Sequence, residues 1–239
     1  MFVRKSHRKY DELRPVKFTS NFTKYADGSV LVEFGDTKVI VTATIEDKVP
    51  RFLIDSDQGW LTAEYSILPG ATHSRVNRDR GSLISGRTQE IQRLIGRSLR
   101  ASVDLKQIGE RTITIDADVI QADGGTRTAS ISGGFVAVYD ALSKLYDKNQ
   151  IDCIPITEQI AAVSVALVDG EILLDPDYFE DSNAIADANI IMGASGNIIE
   201  FQCTGEKSSF DKKDLYKIID TAEAGISEII KIQKEIIGL

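Results

Sequence analysis

The chain has 239 residues, of which 42% are hydrophobic and 27% charged, and its formal net charge is −8. That is a globular balance and a length for one large domain or two small ones. No apolar run reaches the roughly 20 residues that span a bilayer, and the basic start (Arg4, Lys5, Arg8, Lys9) is not followed by the apolar core of a secretory signal. Cys153 and Cys203 lie far apart in no metal-type spacing, so reduced, buried thiols in a cytoplasmic protein without membrane partners are expected.

In chain order, strands are predicted at 16–18, 29–34 and 38–45, with Gly35-Asp36 as a hairpin turn. Residues 49–81 are broken by Pro50, Gly59, Pro69, Gly70 and Gly81, with one strand near 61–65. A helix is predicted over 82–103, buried through Ile84, Ile91, Leu94, Ile95 and Leu99, with Arg93, Arg97 and Arg100 on another face. An alternating strand over 111–121 and a helix from Ala129 to Tyr146 close the first half. In that helix Ile131, Phe135, Val138, Leu142 and Leu145 form one stripe.

The second half reads as a strand over 159–168, a turn at Asp169-Gly170 and a return through 171–174. A hairpin follows, 189–192 and 197–204, joined through Gly193-Ala194-Ser195-Gly196. Ser209 is the expected cap of a last helix over 212–236. The fold class is α+β: mixed sheets packed against helices, strands before helix in each half. One domain is expected over 1–239, its halves about 1–150 and 151–239.

The stretch Asp123-Gly124-Gly125-Thr126-Arg127-Thr128 sits between a strand and a helix. Two glycines let backbone approach a ligand, the helix start offers free N–H groups, and Thr126 and Arg127 add a hydroxyl and a fixed cation. This is an anion site, with phosphate the expected anion. The plain alternative is a tight turn capped by Thr126 or Thr128.

Between Ala71 and Val103 stand seven arginines, at 75, 78, 80, 87, 93, 97 and 100, against Asp79 and Glu90. That segment is +5 inside a chain that is otherwise −13, the pattern of a positioned anion-binding surface. A salt-bridged, solvated helix is the alternative, but its acidic partners would have to come from elsewhere.

Five carboxylates, Asp175, Asp177, Glu180, Asp181 and Asp187, fall within thirteen positions. They repel unless some are solvated or hold a cation. Oxygen ligands without His or Cys suit Mg2+ or Mn2+; a solvated acidic loop is the alternative. The two histidines, His7 and His73, make a His-based triad or a zinc site poor readings, and no P-loop lysine is present. Trp60 is read as structural, and His73 as a surface or phosphate-contacting residue. An anion turn, an arginine segment and a carboxylate cluster together fit metal-assisted chemistry at phosphorus.

Four stretches resemble the ribonuclease PH family: Gly59 to Tyr65, Gly86 to Arg100, Asp116 to Gly134, and Asp177 to Ser182. The likeness runs from Asp11-Glu12-Leu13-Arg14-Pro15-Val16 to the last helix. It implies a phosphorolytic 3′→5′ exoribonuclease that trims 3′ extensions of precursor tRNA. Inorganic phosphate is the co-substrate, nucleoside diphosphates are released, and the reverse reaction adds nucleotides. By the same resemblance Arg87, Gly125, Thr126 and Arg127 bind phosphate, and Asp181 and Asp187 are catalytic and associated with Mg2+. Arg75, Arg78, Arg80, Arg93 and Arg97 are expected on the RNA path, those around 75–80 on it or at ring contacts. The resemblance further implies a homohexamer, a trimer of dimers.

The sequence departs from the family at Gly70, where Leu-Pro-Arg-Ala-Thr-His is usual, and at Ser6-His7-Arg8, where Gly-Arg is usual. The first departure bears on RNA affinity or ring packing. Two other functions stay open: a catalytically inactive RNA-binding ring subunit of an exosome-like assembly, and a small-molecule phosphotransfer enzyme on a similar fold.

Overall fold

The computed structural model describes residues 2–79 and 84–239. Strands β1 (Val16–Ser20), β2 (Gly28–Phe34), β3 (Thr37–Glu46), β4 (Trp60–Ile67) and β5 (Thr112–Gln121) form a sheet in the order β1-β2-β3-β5-β4. All its pairs are antiparallel except β4–β5. Helix α1 (Gly86–Arg100) is the crossover that makes that parallel pair possible. A second, antiparallel sheet holds β6 (Ile160–Val168), β7 (Glu171–Leu174), β8 (Ala186–Gly193) and β9 (Ile198–Gly205) in the order β7-β6-β8-β9. Helices α2 (Thr126–Asp147), α3 (Tyr178–Asn183) and α4 (Lys212–Ile237) complete the chain. The architecture is α+β, with one mixed and one antiparallel sheet packed against helices.

The α2 helix lies between the sheets, packing on β2 and β3 from one side and β6 from the other. The single stripe expected from the sequence is therefore too narrow. Ser130, Ser132, Gly133, Gly134 and Ala137 are buried as deeply as Ile131 and Phe135. The glycines permit this: a Cβ at Gly133 would sit 2.1 Å from Val32 Cγ2, and one at Gly134 2.9 Å from Leu99 Cδ1. The two buried serines are matched: Ser130 Oγ donates to the Thr126 carbonyl at 2.8 Å and Ser132 Oγ accepts from the Ala162 N–H at 3.0 Å.

Helix ends differ from the sequence reading for local reasons. Ser85 caps α1 by accepting from the Thr88 N–H, so the helix starts later than 82; residues 82 and 83 lie outside the described set. It also ends before Val103, which bridges to Ile156. Asp211, not Ser209, caps α4, accepting from the Lys213 N–H at 3.0 Å. Neither cysteine is buried as expected: Cys153 is exposed and Cys203 half-buried, and both are free. Among the described residues no helix is long and apolar enough to cross a membrane.

This topology sets the site. Because β4 and β5 are parallel, the segments that follow them leave from the same sheet end. They stay together there through Leu68 N–H to the Val119 carbonyl (2.9 Å) and Ala122 N–H to the Ala71 carbonyl (2.8 Å). Both α1 and α2 follow such strands, so their N-termini come to this end, beyond the carboxyl ends of parallel strands where ligands bind in such sheets.

Candidate active site

A cavity of about 700 Å3 opens at that end. Its wall includes Arg87 from α1, Gly125, Thr126 and Arg127 from the start of α2, and Asp181 and Asp187. These are the residues that the sequence assigned to phosphate and to catalysis, and three separate stretches of chain bring them there.

Gly124 and Gly125 take φ of +81° and +64°, the left-handed region that favours glycine. Gly125 is the N-cap of α2, so the turn is not capped by a Thr126 or Thr128 side chain accepting a helix amide. Thr128 instead donates its hydroxyl to the Gly125 carbonyl at 2.9 Å. The first helical bond is Ala129 N–H to Gly125 carbonyl, 3.0 Å, and the amides of Gly125, Thr126 and Arg127 precede it. Tyr65, only 4% exposed, shares a 2.8 Å hydrogen bond with the Thr126 hydroxyl, and burial pushes its phenol pKa up.

Asp181 and Asp187 face the arginine side. Asp181 is raised by burial against the pull of Arg127 and Arg87. Asp187 is pushed up to about 6 by burial and by the charge of Asp181, with Arg127 opposing. The Asn189 amide donates to Asp187 Oδ2 at 3.0 Å and accepts through Oδ1 from the Ser164 hydroxyl at 2.9 Å. Ser164 Oγ lies 3.4 Å from the Thr128 hydroxyl, a polar contact only, because each hydroxyl gives its single proton elsewhere, to Asn189 Oδ1 and to the Gly125 carbonyl.

The acidic run divides in a way that neither sequence reading foresaw. Asp175 and Glu180 are each 1% exposed and are held by arginines of the N-terminal segment. Arg4 binds Glu180 through Nε and Nη2, both at 2.8 Å. Arg14 binds Asp175 through Nε at 2.9 Å and Nη2 at 2.7 Å, and holds it well ionised despite its burial. Asp177 caps α3 in a reciprocal capping box with Glu180. Only Asp181 and Asp187 of the five line the cavity.

Two carboxylates with oxygen donors alone fit Mg2+ or Mn2+. Among the described residues no group of three or more His, Cys, Asp or Glu could hold a metal. A cation on this pair would complete its shell with water and substrate oxygens, as magnesium commonly does.

The other arginines are spread out. Arg75 and Arg78 are exposed on the segment after β4, whose residues 72–74, 76, 77 and 79 line the cavity; Arg80 lies outside the described residues. Arg93 is exposed on α1, away from the cavity lining. Arg97 is paired through Nε and Nη2 with Glu200 of β9. Arg100 stacks over Trp60 at 4.5 Å and donates to the Leu61 carbonyl. His73 is exposed, lines the cavity and packs against Tyr178 with ring centroids 5.4 Å apart and planes tilted by 54°. Gly70 is open, with nothing within 4 Å of a Cβ built there.

Residues 12–143 match the family described as "3' exoribonuclease family, domain 1", and residues 158–225 match its domain 2. The chain belongs to the ribonuclease PH-type 3′ exoribonuclease family. Solved structures of the same fold include rice (Oryza sativa) Rrp46, at 19% identity and a TM-score of 0.79 over 98% of this chain and 100% of that one. The Archaeoglobus fulgidus exosome with RNA bound to the active site matches at 22% identity and 0.81, over 95% and 91%. An archaeal exosome core matches at 21% and 0.79, over 97% and 91%. At these identities the likeness establishes the fold; the residues of the site carry the chemistry.

Sequence reasoning missed Tyr65, Ser164, Asn189 and Arg14. Each works through another residue, and a lone polar side chain in a strand or loop carries no spacing signal.

Proposed function

We propose that this family member is a phosphorolytic 3′→5′ exoribonuclease. The observation that carries the reading is the meeting of Arg87, Arg127 and the Gly125–Thr126 turn with Asp181 and Asp187 on one cavity. Asp187, its pKa pushed up to about 6, is a base that a hydrolase could also use, so the choice of nucleophile rests on the cationic turn. A cationic turn beside a carboxylate pair suits phosphate as the nucleophile, because an anion already carries the attacking charge.

In this mechanism Arg87, Arg127 and the turn amides bind inorganic phosphate and align one of its oxygens with the last phosphodiester. That oxygen forms a bond to phosphorus, the bond to the 3′ oxygen of the preceding nucleotide breaks, and the 3′ oxygen takes the proton that the attacking hydrogen phosphate gives up. A nucleoside diphosphate and an RNA one residue shorter are the products. Mg2+ or Mn2+ on Asp181 and Asp187 would neutralise charge on the scissile phosphate. Arg75 and Arg78, with Arg80 and Arg93, guide the single-stranded 3′ end through backbone contacts, so binding is salt-sensitive and weakly sequence-dependent. The narrower substrate, the 3′ extension of precursor tRNA, rests on the motif resemblance alone, as does the homohexamer. Two free cysteines support a reducing, cytoplasmic setting.

A second reading has its own support. Two structural neighbours are exosomes by name, which favours an RNA-binding ring subunit of an exosome-like assembly. The complete set of Arg87, Arg127, Asp181 and Asp187 favours activity within such a ring. One experiment separates these readings. The purified protein is incubated with 3′-end-labelled tRNA carrying a short trailer, and with an unstructured RNA, in Mg2+ with and without phosphate, and its mass in solution is measured. Phosphate-dependent release of nucleoside diphosphates supports the enzyme. RNA binding without release under every condition supports the inactive subunit.

A further inference from the structure

We propose that Arg14 sets the conformation of the phosphate turn, as a positioning residue for the phosphate subsite. The inference rests on the phosphorolytic reading and names a residue outside the cavity wall. Arg14 lies behind the turn, its side chain 6% exposed. Its Nη1 donates to the Asp123 carbonyl and its Nη2 to the Gly124 carbonyl at 3.3 Å. A trans peptide points its N–H opposite its C=O. With those two carbonyls drawn onto the guanidinium, the N–H groups of Gly124 and Gly125 are turned away from Arg14. Gly124, Gly125 and Thr126 line the cavity on that far side, so the amides are presented to an anion.

Thr37 acts on the same carbonyl. Its hydroxyl donates to the Gly124 carbonyl at 2.6 Å and accepts from the Asp123 N–H at 3.0 Å. The guanidinium itself is fully used. Nε and one Nη2 hydrogen go to Asp175; Nη1 reaches the Asp123 carbonyl and Thr37, and the second Nη2 hydrogen reaches Gly124. All five donors are assigned, so none is left for a bound phosphate. The arginine arranges the subsite without touching its ligand. Gly35 leaves it room to do so: a Cβ there would lie 2.7 Å from Arg14 Cδ.

The test is the phosphate dependence of Arg14→Lys, which keeps the charge and loses the planar fork. The expected result is a KM for phosphate raised about tenfold or more, with kcat at saturating phosphate falling by less and RNA affinity in phosphate-free buffer unchanged. Phosphate should also raise the melting temperature of wild type more than that of the variant. An unchanged KM for phosphate with a lowered melting temperature would overturn the proposal, since Arg14 would then only hold the fold. If Arg14→Lys does not fold, Thr37→Val decides: a raised KM for phosphate supports the proposal and an unchanged one overturns it. Wild-type protein that releases no diphosphate in response to phosphate would sink the function itself, a different failure from either.

Discussion

The Asn189 side chain donates to Asp187 Oδ2 across 3.0 Å, which leaves Oδ1 as the oxygen open to a proton or a ligand. The orientation of the amide is set from behind, because its own oxygen accepts from the Ser164 hydroxyl. Asp187 is therefore a carboxylate held in one pose while burial and Asp181 disfavour its charge.

That tension predicts a trade of stability for activity. The folded-state pKa of about 6 lies above the ordinary value of 3.8, so ionised Asp187 opposes folding at neutral pH. Each tenfold change in proton affinity is about 1.4 kcal/mol, so removing the charge gains up to about 3 kcal/mol. Asp187→Asn should abolish turnover yet raise the melting temperature in metal-free buffer at pH 8. The gain should shrink as pH falls below about 6, where wild-type Asp187 is protonated. Calorimetry across that range checks both signs.

Activity should follow the same group in the opposite sense. The proposed role needs an ionised Asp187, so kcat/KM should fall as pH drops through about 6. A pH profile at saturating Mg2+ should place the acid limb lower than one at limiting Mg2+, because a bound cation favours the carboxylate.

Arg4 and Glu180 form a fully buried, two-point ion pair, and Arg4 also reaches the carbonyls of Lys9, Leu174 and Asp175. Arg4→Met should cost about 3 kcal/mol in urea unfolding, because it leaves the buried Glu180 carboxylate with only the Asp177 N–H and Arg8, 3.6 Å away. Arg4→Met with Glu180→Leu should recover a good part of that loss. Glu180 also neighbours Asp181 on α3, so the single variant should lose activity before it loses its fold.

This pair marks where sequence reading stops. Strands such as β5 were legible because Ile113, Ile115, Ala117 and Val119 alternate with polar residues and the sheet buries one face. That Gly125–Arg127 meet Asp181 and Asp187 on one cavity follows the resemblance of short, contiguous motifs to the family, which carries such residues as a set. Arg4 and Glu180 are 176 positions apart, and nothing local joins them. The same holds for Arg14 with Asp175, so an acidic run that looked solvated or metal-bound is in part a buried ion-pair network. The α2 stripe misled because a helix between two sheets buries small polar residues as fully as large apolar ones.

Gly70 offers a gain-of-function test. Its surroundings are empty, and it is not among the positive-φ glycines, so an arginine fits without strain. Gly70→Arg should tighten single-stranded RNA binding by a few-fold at low salt and steepen its salt dependence by about one counterion. It should leave KM for phosphate unchanged. A salt titration of RNA binding by both proteins checks this.

The most direct measurement follows the phosphate itself. The protein is given RNA and Mg2+ with radiolabelled inorganic phosphate, and the released nucleotide is identified. The account predicts nucleoside diphosphate carrying the label in its β-phosphoryl group. Unlabelled nucleoside monophosphate would contradict it, since water would then be the nucleophile and the turn at Gly125–Arg127 would not be the site of the attacking phosphate.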